Sequence, residues 1–240
     1  MAYTVIWWAI LAILLFVPPL ILWRLFRANW IWFALGIVGY LLGMTAKGIL
    51  YFAGQALNLS TIPVMPQAMV VGISSAMTEL AAAALFLAWG RRRLGDVLAF
   101  GVGVGLFEIF VAMMAGWDEI TTTTKTHTSF SEFAHAVAFS FLVERGITLI
   151  GHTTSRALVY VFFRTRSRSV LLFTIVTFAL VDGVAQYGEL AHWDYSQLKF
   201  QASYYSFVAL ITAAEGFVVW RVGRKLPEWL QPWTSPLSPT

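Results

Sequence analysis

The chain has 240 residues, of which 59% are hydrophobic and only 12% are charged, and its formal net charge at pH 7 is +4. A soluble domain carries about 25% charged residues, so this composition, with a mean hydropathy of +0.73, excludes an ordinary water-soluble fold. Cysteine is absent, which excludes disulfides, thiolate catalysis and cysteine-ligated metals.

Seven apolar segments follow one another along the chain, each long enough to cross a hydrocarbon layer of roughly 30 Å. They cover residues 4–23, 30–52, 66–89, 97–115, 136–163, 169–187 and 202–220. The sequence therefore predicts an all-α fold, a polytopic membrane bundle of about seven transmembrane helices. We expect one domain at 1–226 and a proline-rich cytoplasmic tail at 227–240.

Two of these segments need comment. The first lacks a basic n-region and a cleavage site, so we expect a retained helix and not a signal peptide. The fifth contains Glu144 and Arg145 and is longer than one span requires, so residues 132–163 can form either one helix or two.

Basic clusters follow alternate segments and set the predicted orientation. They follow the first, third, fifth and seventh segments: Arg24 and Arg27; Arg91, Arg92 and Arg93; Arg164, Arg166 and Arg168; Arg221, Arg224 and Lys225. The opposite side receives residues 54–65, 118–125 and 189–199, which hold no such cluster. The positive-inside rule then places the N-terminus outside and the C-terminus in the cytoplasm. We expect a multi-pass protein of the cell membrane, specifically of a bacterial inner membrane.

Ionisable residues inside the apolar segments are costly in hydrocarbon, so each needs a partner, a water-filled cavity or a function. Nine stand out: Lys47, Glu79, Glu108, Glu144, Arg145, His152, Arg156, Asp182 and Glu215. The three basic members of the fifth segment lie at helical spacing and form one stripe, which needs carboxylates from neighbouring helices. Glu79, Glu108 and Asp182 are the expected suppliers.

A glycine-rich run, from Phe100 to Gly105, precedes Glu108 on the fourth segment. No strand precedes the run, so it does not indicate a phosphate-binding loop. Gly101 and Gly105 share one helix face, where glycine lets another backbone approach closely. The fourth segment is therefore expected to pack tightly against a neighbouring helix.

Four blocks of residues resemble the YhfC-type intramembrane glutamic endopeptidases, which are relatives of the CAAX prenyl proteases. The blocks are residues 72–79, residues 100–108, Glu144-Arg145 with His152 and Ser155, and residues 178–182, within about 66–185 of the chain. The resemblance implies a site where a carboxylate activates water as a general base while histidines stabilise the oxyanion.

The chain keeps part of the family's pattern and departs from it at four positions. Thr78 stands where the resemblance implies a glutamate, Ala82 where it implies an arginine, and Val104 and Phe178 where it implies histidines. Valine and phenylalanine can neither accept a proton nor donate to an oxyanion. We therefore interpret the retained catalytic positions as vestigial or structural. These are Glu79, Glu108, His152 and Asp182, with Glu144, Arg145, Ser155 and Arg156 as a buried polar network.

Three functions stay open from the sequence. The leading hypothesis is a non-catalytic scaffold or accessory subunit that binds a membrane-protein partner in the lipid bilayer. The alternatives are an active intramembrane endopeptidase with an altered site and an ion- or proton-coupled carrier. Nucleic acid is not an expected partner, because the basic residues lie in short clusters beside apolar segments. No cofactor or metal is predicted, since no known metal-ligand spacing is present.

Overall fold

The structure, a computed structural model, describes residues 2–58, 61–115, 140–193 and 198–230. The predicted external loop at 118–125 and residues 231–240 of the predicted tail lie outside these ranges. The described residues form eight α-helices: α1 Ala2–Phe26, α2 Trp30–Ala56, α3 Val64–Leu87, α4 Leu94–Ala115, α5 Ser140–Thr165, α6 Arg168–Leu190, α7 Leu198–Gly223 and α8 Pro227–Leu230. The all-α prediction is confirmed for this part of the chain.

Six helices in the described ranges are long and apolar enough to cross a membrane, judged by length and composition. They are Trp8–Phe26, Trp30–Ala56, Val64–Leu87, Leu94–Met114, Arg168–Leu190 and Ala202–Gly223. Each overlaps one of the predicted segments, so the chain is a multi-pass membrane protein. The remaining predicted segment corresponds to α5, which is one continuous helix from Ser140 onward. Residues 132–139 lie outside the described part of the chain.

Helix α5 lies at the centre of the bundle. It contacts α1, α3, α4, α6 and α7, and its residues 157–161 are all buried. Successive residues of an α-helix point about 100° apart, so five buried neighbours in a row show that this part of α5 is enclosed on every side. Lipid does not reach it there, and the helix can therefore carry polar side chains that a lipid-facing helix could not.

Glycines on α4 bring three backbones close together. A Cβ atom added to Gly101 would lie 2.6 Å from Thr153 Cα on α5, and one added to Gly103 would lie 2.2 Å from the Phe33 carbonyl oxygen on α2. Any side chain at either position would force the helices apart. The close packing predicted for the fourth segment is thus confirmed, and it fixes the distance between α4 and α5 that the site requires.

The basic end of the bundle is closed by the short helix α8. The Glu228 carboxylate accepts hydrogen bonds from Arg164 Nε (2.7 Å) and from the Tyr160 hydroxyl (2.9 Å). Trp229 stacks on the Tyr160 ring with centroids 5.8 Å apart, and Arg92 donates its backbone N–H to the same hydroxyl at 2.8 Å. The beginning of the predicted tail is therefore packed against α5 and the α3–α4 turn.

The hydrogen bonds at Glu228 favour its ionised form. Burial raises the pKa of this carboxyl, but hydrogen bonds from its own backbone N–H, Arg164 and Tyr160 outweigh burial, so the pKa lies below the ordinary value. A carboxyl whose pKa is lower in the folded than in the unfolded state stabilises the fold above the unfolded pKa. This contribution is lost as the pH falls through the folded pKa.

We expect Glu228→Gln to lower the free energy of unfolding at pH 7 by about 1–3 kcal/mol, as loss of a hydrogen-bonded charged group does. The difference from wild type should shrink as the pH falls below the unfolded pKa of about 4.3 and should vanish below the lower folded pKa, where the wild-type carboxyl is also protonated. Thermal unfolding in detergent across this pH range measures the effect. Glu189→Gln, a change at an exposed carboxylate of α6, is the control, and an equal loss in both variants would contradict the assignment.

Candidate functional site

A polar cavity of about 510 Å³ opens inside the bundle and is lined by α2 through α7. Its ionisable lining residues, tyrosines apart, are Lys47, Glu79, Glu108, Glu144, Arg145, His152, Asp182, Glu189 and Glu215. The four residues that the sequence predicts as the remainder of a catalytic set all belong to this lining. All four side chains therefore face the cavity inside the bundle.

The cavity opens at the end of the bundle opposite the basic clusters. Its rim contains Glu144 near the start of α5, Glu189 near the end of α6 and Tyr204 near the start of α7. Its floor lies deeper, since Glu79 and Glu215 are more than four turns into α3 and α7 from the same end. The cavity is thus a well that reaches toward the middle of the bundle.

An ion pair between α3 and α5 forms part of the floor. Arg156 donates from Nη2 to Glu79 Oε2 at 2.7 Å, and the two residues are only 1% and 6% exposed. Arg156 also donates to the Ser155 hydroxyl at 3.0 Å, and its guanidinium lies 4.8 Å from the centre of the Phe178 ring. The Glu79 carboxylate is therefore ion-paired with the buried Arg156 guanidinium.

A second group of charges joins α4, α5 and α7. The Glu108 carboxylate contacts His152 Nε2 and also lies 3.5 Å from Arg145 Nη1. Arg145 contacts Glu144 as well, and the Tyr205 hydroxyl donates to Glu144 at 3.3 Å. The basic stripe of α5 thus receives the Glu108 carboxylate from α4, as expected, and the network also extends to Tyr205 on α7.

Asp182 pairs with a different cation from the one expected. Its carboxylate lies 3.5 Å from Lys47 Nζ, so the pair links α6 to α2 and not to the basic stripe of α5. Both side chains are more than a quarter exposed. The stripe receives its carboxylates from Glu79 and Glu108, as predicted, while Asp182 stands apart from it.

Glu215 on α7 is the deep carboxylate for which the sequence suggested no partner. Its two oxygens lie 2.7 Å from the hydroxyls of Thr154 on α5 and Thr177 on α6, and the residue is 3% exposed. Among the described residues no basic side chain forms an ion pair with it. Threonine hydroxyls in membrane helices commonly donate to a backbone carbonyl of the preceding turn, so no pattern in the sequence predicts that these two would bind a carboxylate.

The four positions that depart from the family pattern mostly lie away from the cavity. The Thr78 hydroxyl donates to the Ser74 carbonyl of its own helix at 2.9 Å, and Ala82 and Val104 are buried without lining the cavity. Only Phe178 lines it. The side chains at three of the four replaced positions therefore do not contact the space that a substrate in the cavity would occupy.

Phe178 has a packing role at the position where the resemblance implies a histidine. Its ring covers the Arg156 guanidinium and lies 6.1 Å from the His152 ring, centre to centre. An aromatic face stabilises a nearby cation when water is excluded. Phe178 thus stabilises the charged floor of the cavity, but it cannot transfer a proton.

Few of the described side chains around the cavity are arranged as a metal site or an acid–base pair. In the described part of the chain, no three His, Asp or Glu side chains are grouped so as to hold a metal ion. The Glu108–His152 contact is the arrangement that most resembles an acid–base pair, because it joins a carboxylate to an imidazole beside the cavity. The remaining charged groups at this depth are engaged with one another or, for Glu215, with hydroxyls.

We expect Glu79→Gln to destabilise the protein more than Asp182→Asn. The first change leaves Arg156 buried without its counter-charge, which costs about 3–5 kcal/mol in buried pairs. The second breaks a partly exposed pair with Lys47, and such pairs contribute about 0–1 kcal/mol. Unfolding of the purified variants in one detergent measures both. A double Glu79→Gln/Arg156→Met variant should recover part of the loss, and equal shifts in the two single variants would contradict this ranking.

No protein-family model, curated protein or solved structure matches this chain. Its function is therefore inferred from the residues around the cavity. Two of their properties carry most weight: their charges are largely engaged with one another, and the opening lies at the end of the bundle away from the basic clusters.

Proposed function

We propose that this chain is a seven-span membrane protein that binds a membrane-protein partner without cleaving it, as a scaffold or accessory subunit. In this proposal it is a degenerate relative of the YhfC-type endopeptidases that kept the helical scaffold. The cavity, which in the family would receive a substrate peptide, then serves as a binding site for a partner segment.

The position of α5 supports its role as the seventh span. Its 26 residues would extend about 39 Å at 1.5 Å per residue, enough to cross a bilayer. The hydropathy of such a helix understates its ability to span a membrane, because its charged residues contact neighbouring helices and not lipid. With α5 as a span, the four basic clusters all fall at one end of the bundle, which the positive-inside rule assigns to the cytoplasm.

The observation that carries the non-catalytic proposal is the pairing of the cavity's charges. A general base must be within hydrogen-bonding distance of the water that it activates. Glu79 is held by Arg156 at 2.7 Å, and Phe178, whose ring covers Arg156, stands where the resemblance implies a histidine. These contacts favour a stabilising role for the polar cluster over a catalytic one.

An endopeptidase with a rearranged site is the second candidate, and the Glu108–His152 contact favours it. A carboxylate that contacts an imidazole can activate a water molecule, with Arg145 nearby to stabilise negative charge. In that alternative Glu108 is the base. The two proposals differ in one measurable result, peptide cleavage.

Cysteine labelling tests the seven-span topology, and the absence of native cysteine makes the chain suitable for it. We expect Leu57→Cys at the end of α2 to react with an impermeant thiol reagent from outside, and Arg91→Cys and Ser167→Cys from inside. If α5 does not cross the membrane, Arg91→Cys and Ser167→Cys will label from opposite sides. That result would overturn the seven-span topology.

We expect the purified protein to leave transmembrane and prenylated peptides intact. The reason is that Glu79 is held by Arg156 and that the histidine positions of the family are occupied by Val104 and Phe178. Mass spectrometry of the peptides after incubation measures cleavage, with Glu108→Gln as the matched control.

Cleavage by wild type that disappears in a well-folded Glu108→Gln variant would favour the endopeptidase and contradict the scaffold. In mild detergent, the scaffold proposal also expects a partner that co-purifies at constant stoichiometry. A lone monomer that cleaves peptide would contradict both parts of the proposal.

A further inference from the structure

A second, shallow cleft lies at the basic end of the bundle, where α5 turns into α6. It has a volume of about 590 Å³ and is lined by Phe162, Arg166, Arg168, Leu171, Leu172 and Ile175. None of these residues lines the polar cavity. The cleft is therefore a separate feature of the molecule, and its interpretation does not depend on the proposed function.

The two arginines of the cleft are exposed and lack a carboxylate partner within the described ranges. Elsewhere at this end Arg164 pairs with Glu228, but no ion pair among the described residues includes Arg166 or Arg168. The Arg166 guanidinium lies 5.9 Å from the Phe163 ring centre. Within the part of the chain that the structure describes, two guanidinium groups at one turn are thus exposed without a carboxylate partner.

The rest of the cleft is apolar and runs along α6 away from the turn. Leu171, Leu172 and Ile175 occupy the first two turns of this helix, and Leu172 is 63% exposed. In a membrane-spanning helix, these side chains lie just inside the hydrocarbon while the arginines lie at the polar boundary. A charged rim above an apolar wall matches a molecule with a phosphate head and an acyl chain.

The geometry points to a binding site for an anionic phospholipid, whose phosphate is held by Arg166 and Arg168 and whose acyl chain lies along Leu171, Leu172 and Ile175. Guanidinium groups bind phosphate oxygens through paired, charge-assisted hydrogen bonds. Basic pockets beside membrane helices are suited to anionic head groups. A zwitterionic lipid carries its own cation and gains less from the two arginines.

Native mass spectrometry of detergent-purified protein, titrated with phosphatidylglycerol or phosphatidylcholine, tests this site. We expect wild type to retain one phosphatidylglycerol in clear preference to phosphatidylcholine. Arg166→Gln/Arg168→Gln should weaken phosphatidylglycerol binding about 30-fold, since each arginine near a charged lipid contributes roughly a fivefold factor. Leu172→Trp, which fills the apolar wall without a change of charge, should also reduce retention.

The matched control is Arg221→Gln/Arg224→Gln, which removes two exposed arginines from the same end of the bundle but outside the cleft. It should bind phosphatidylglycerol as wild type does. Equal loss in both double variants would show a general effect of charge and overturn the site, as would equal retention of the two lipids. Displacement of the lipid by excess inorganic phosphate, together with binding by Leu172→Trp as strong as that of wild type, would show that the arginines hold a phosphate without the apolar wall and would also overturn the site. If the arginine variant does not fold, undiminished binding by Leu172→Trp overturns the proposal.

Discussion

The ion pair between Arg156 and Glu79 is the contact on which the bundle depends. Arg156 is 1% exposed and directly precedes the enclosed residues 157–161 of α5, and a buried charge without a partner costs several kcal/mol. Glu79 on α3, 2.7 Å away, supplies that partner. Helices α3 and α5 must therefore keep their relative position, and the floor of the cavity is fixed with them. Glu215 adds α6 and α7 to the same floor through Thr154 and Thr177.

Sequence predicts the parts of this fold that depend on composition and on local spacing. Six of the described helices are long and predominantly apolar, so their segments can be identified directly, and the glycines of α4 indicate close packing because they share one face. Glu79 and Glu108 were expected near the basic stripe because that stripe needs carboxylates. The sequence could not predict that Lys47 forms an ion pair with Asp182, since this pairing depends on how α2 and α6 lie in space.

Helix α5 shows why a hydropathy criterion can leave out a helix that the order of apolar segments and basic clusters predicts as a membrane span. A helix that faces lipid must be apolar, whereas a helix enclosed by other helices needs only partners for its polar groups. Arg145, His152 and Arg156 each contact a carboxylate. The features that lower the hydropathy of α5 are thus the contacts that hold it at the centre.

The charged residues at the two ends of the bundle differ in their sign and in how they are paired. At one end carboxylates outnumber cations around an open cavity. At the other, most arginines are exposed, Arg164 is held by Glu228 beside the stacked Trp229, and Arg92 packs over the Trp32 ring. Between them lie residues 157–161 of α5, all buried.

A solute that moved along α5 from the cavity to the basic end would have to pass this buried stretch of the helix. Opening a passage there would separate α5 from the helices that pack around it and would disturb the neighbouring Arg156 pair, whose charges depend on remaining in contact. The proposed binding function needs only the present arrangement of helices, whereas a carrier would need a second one in which α5 has moved.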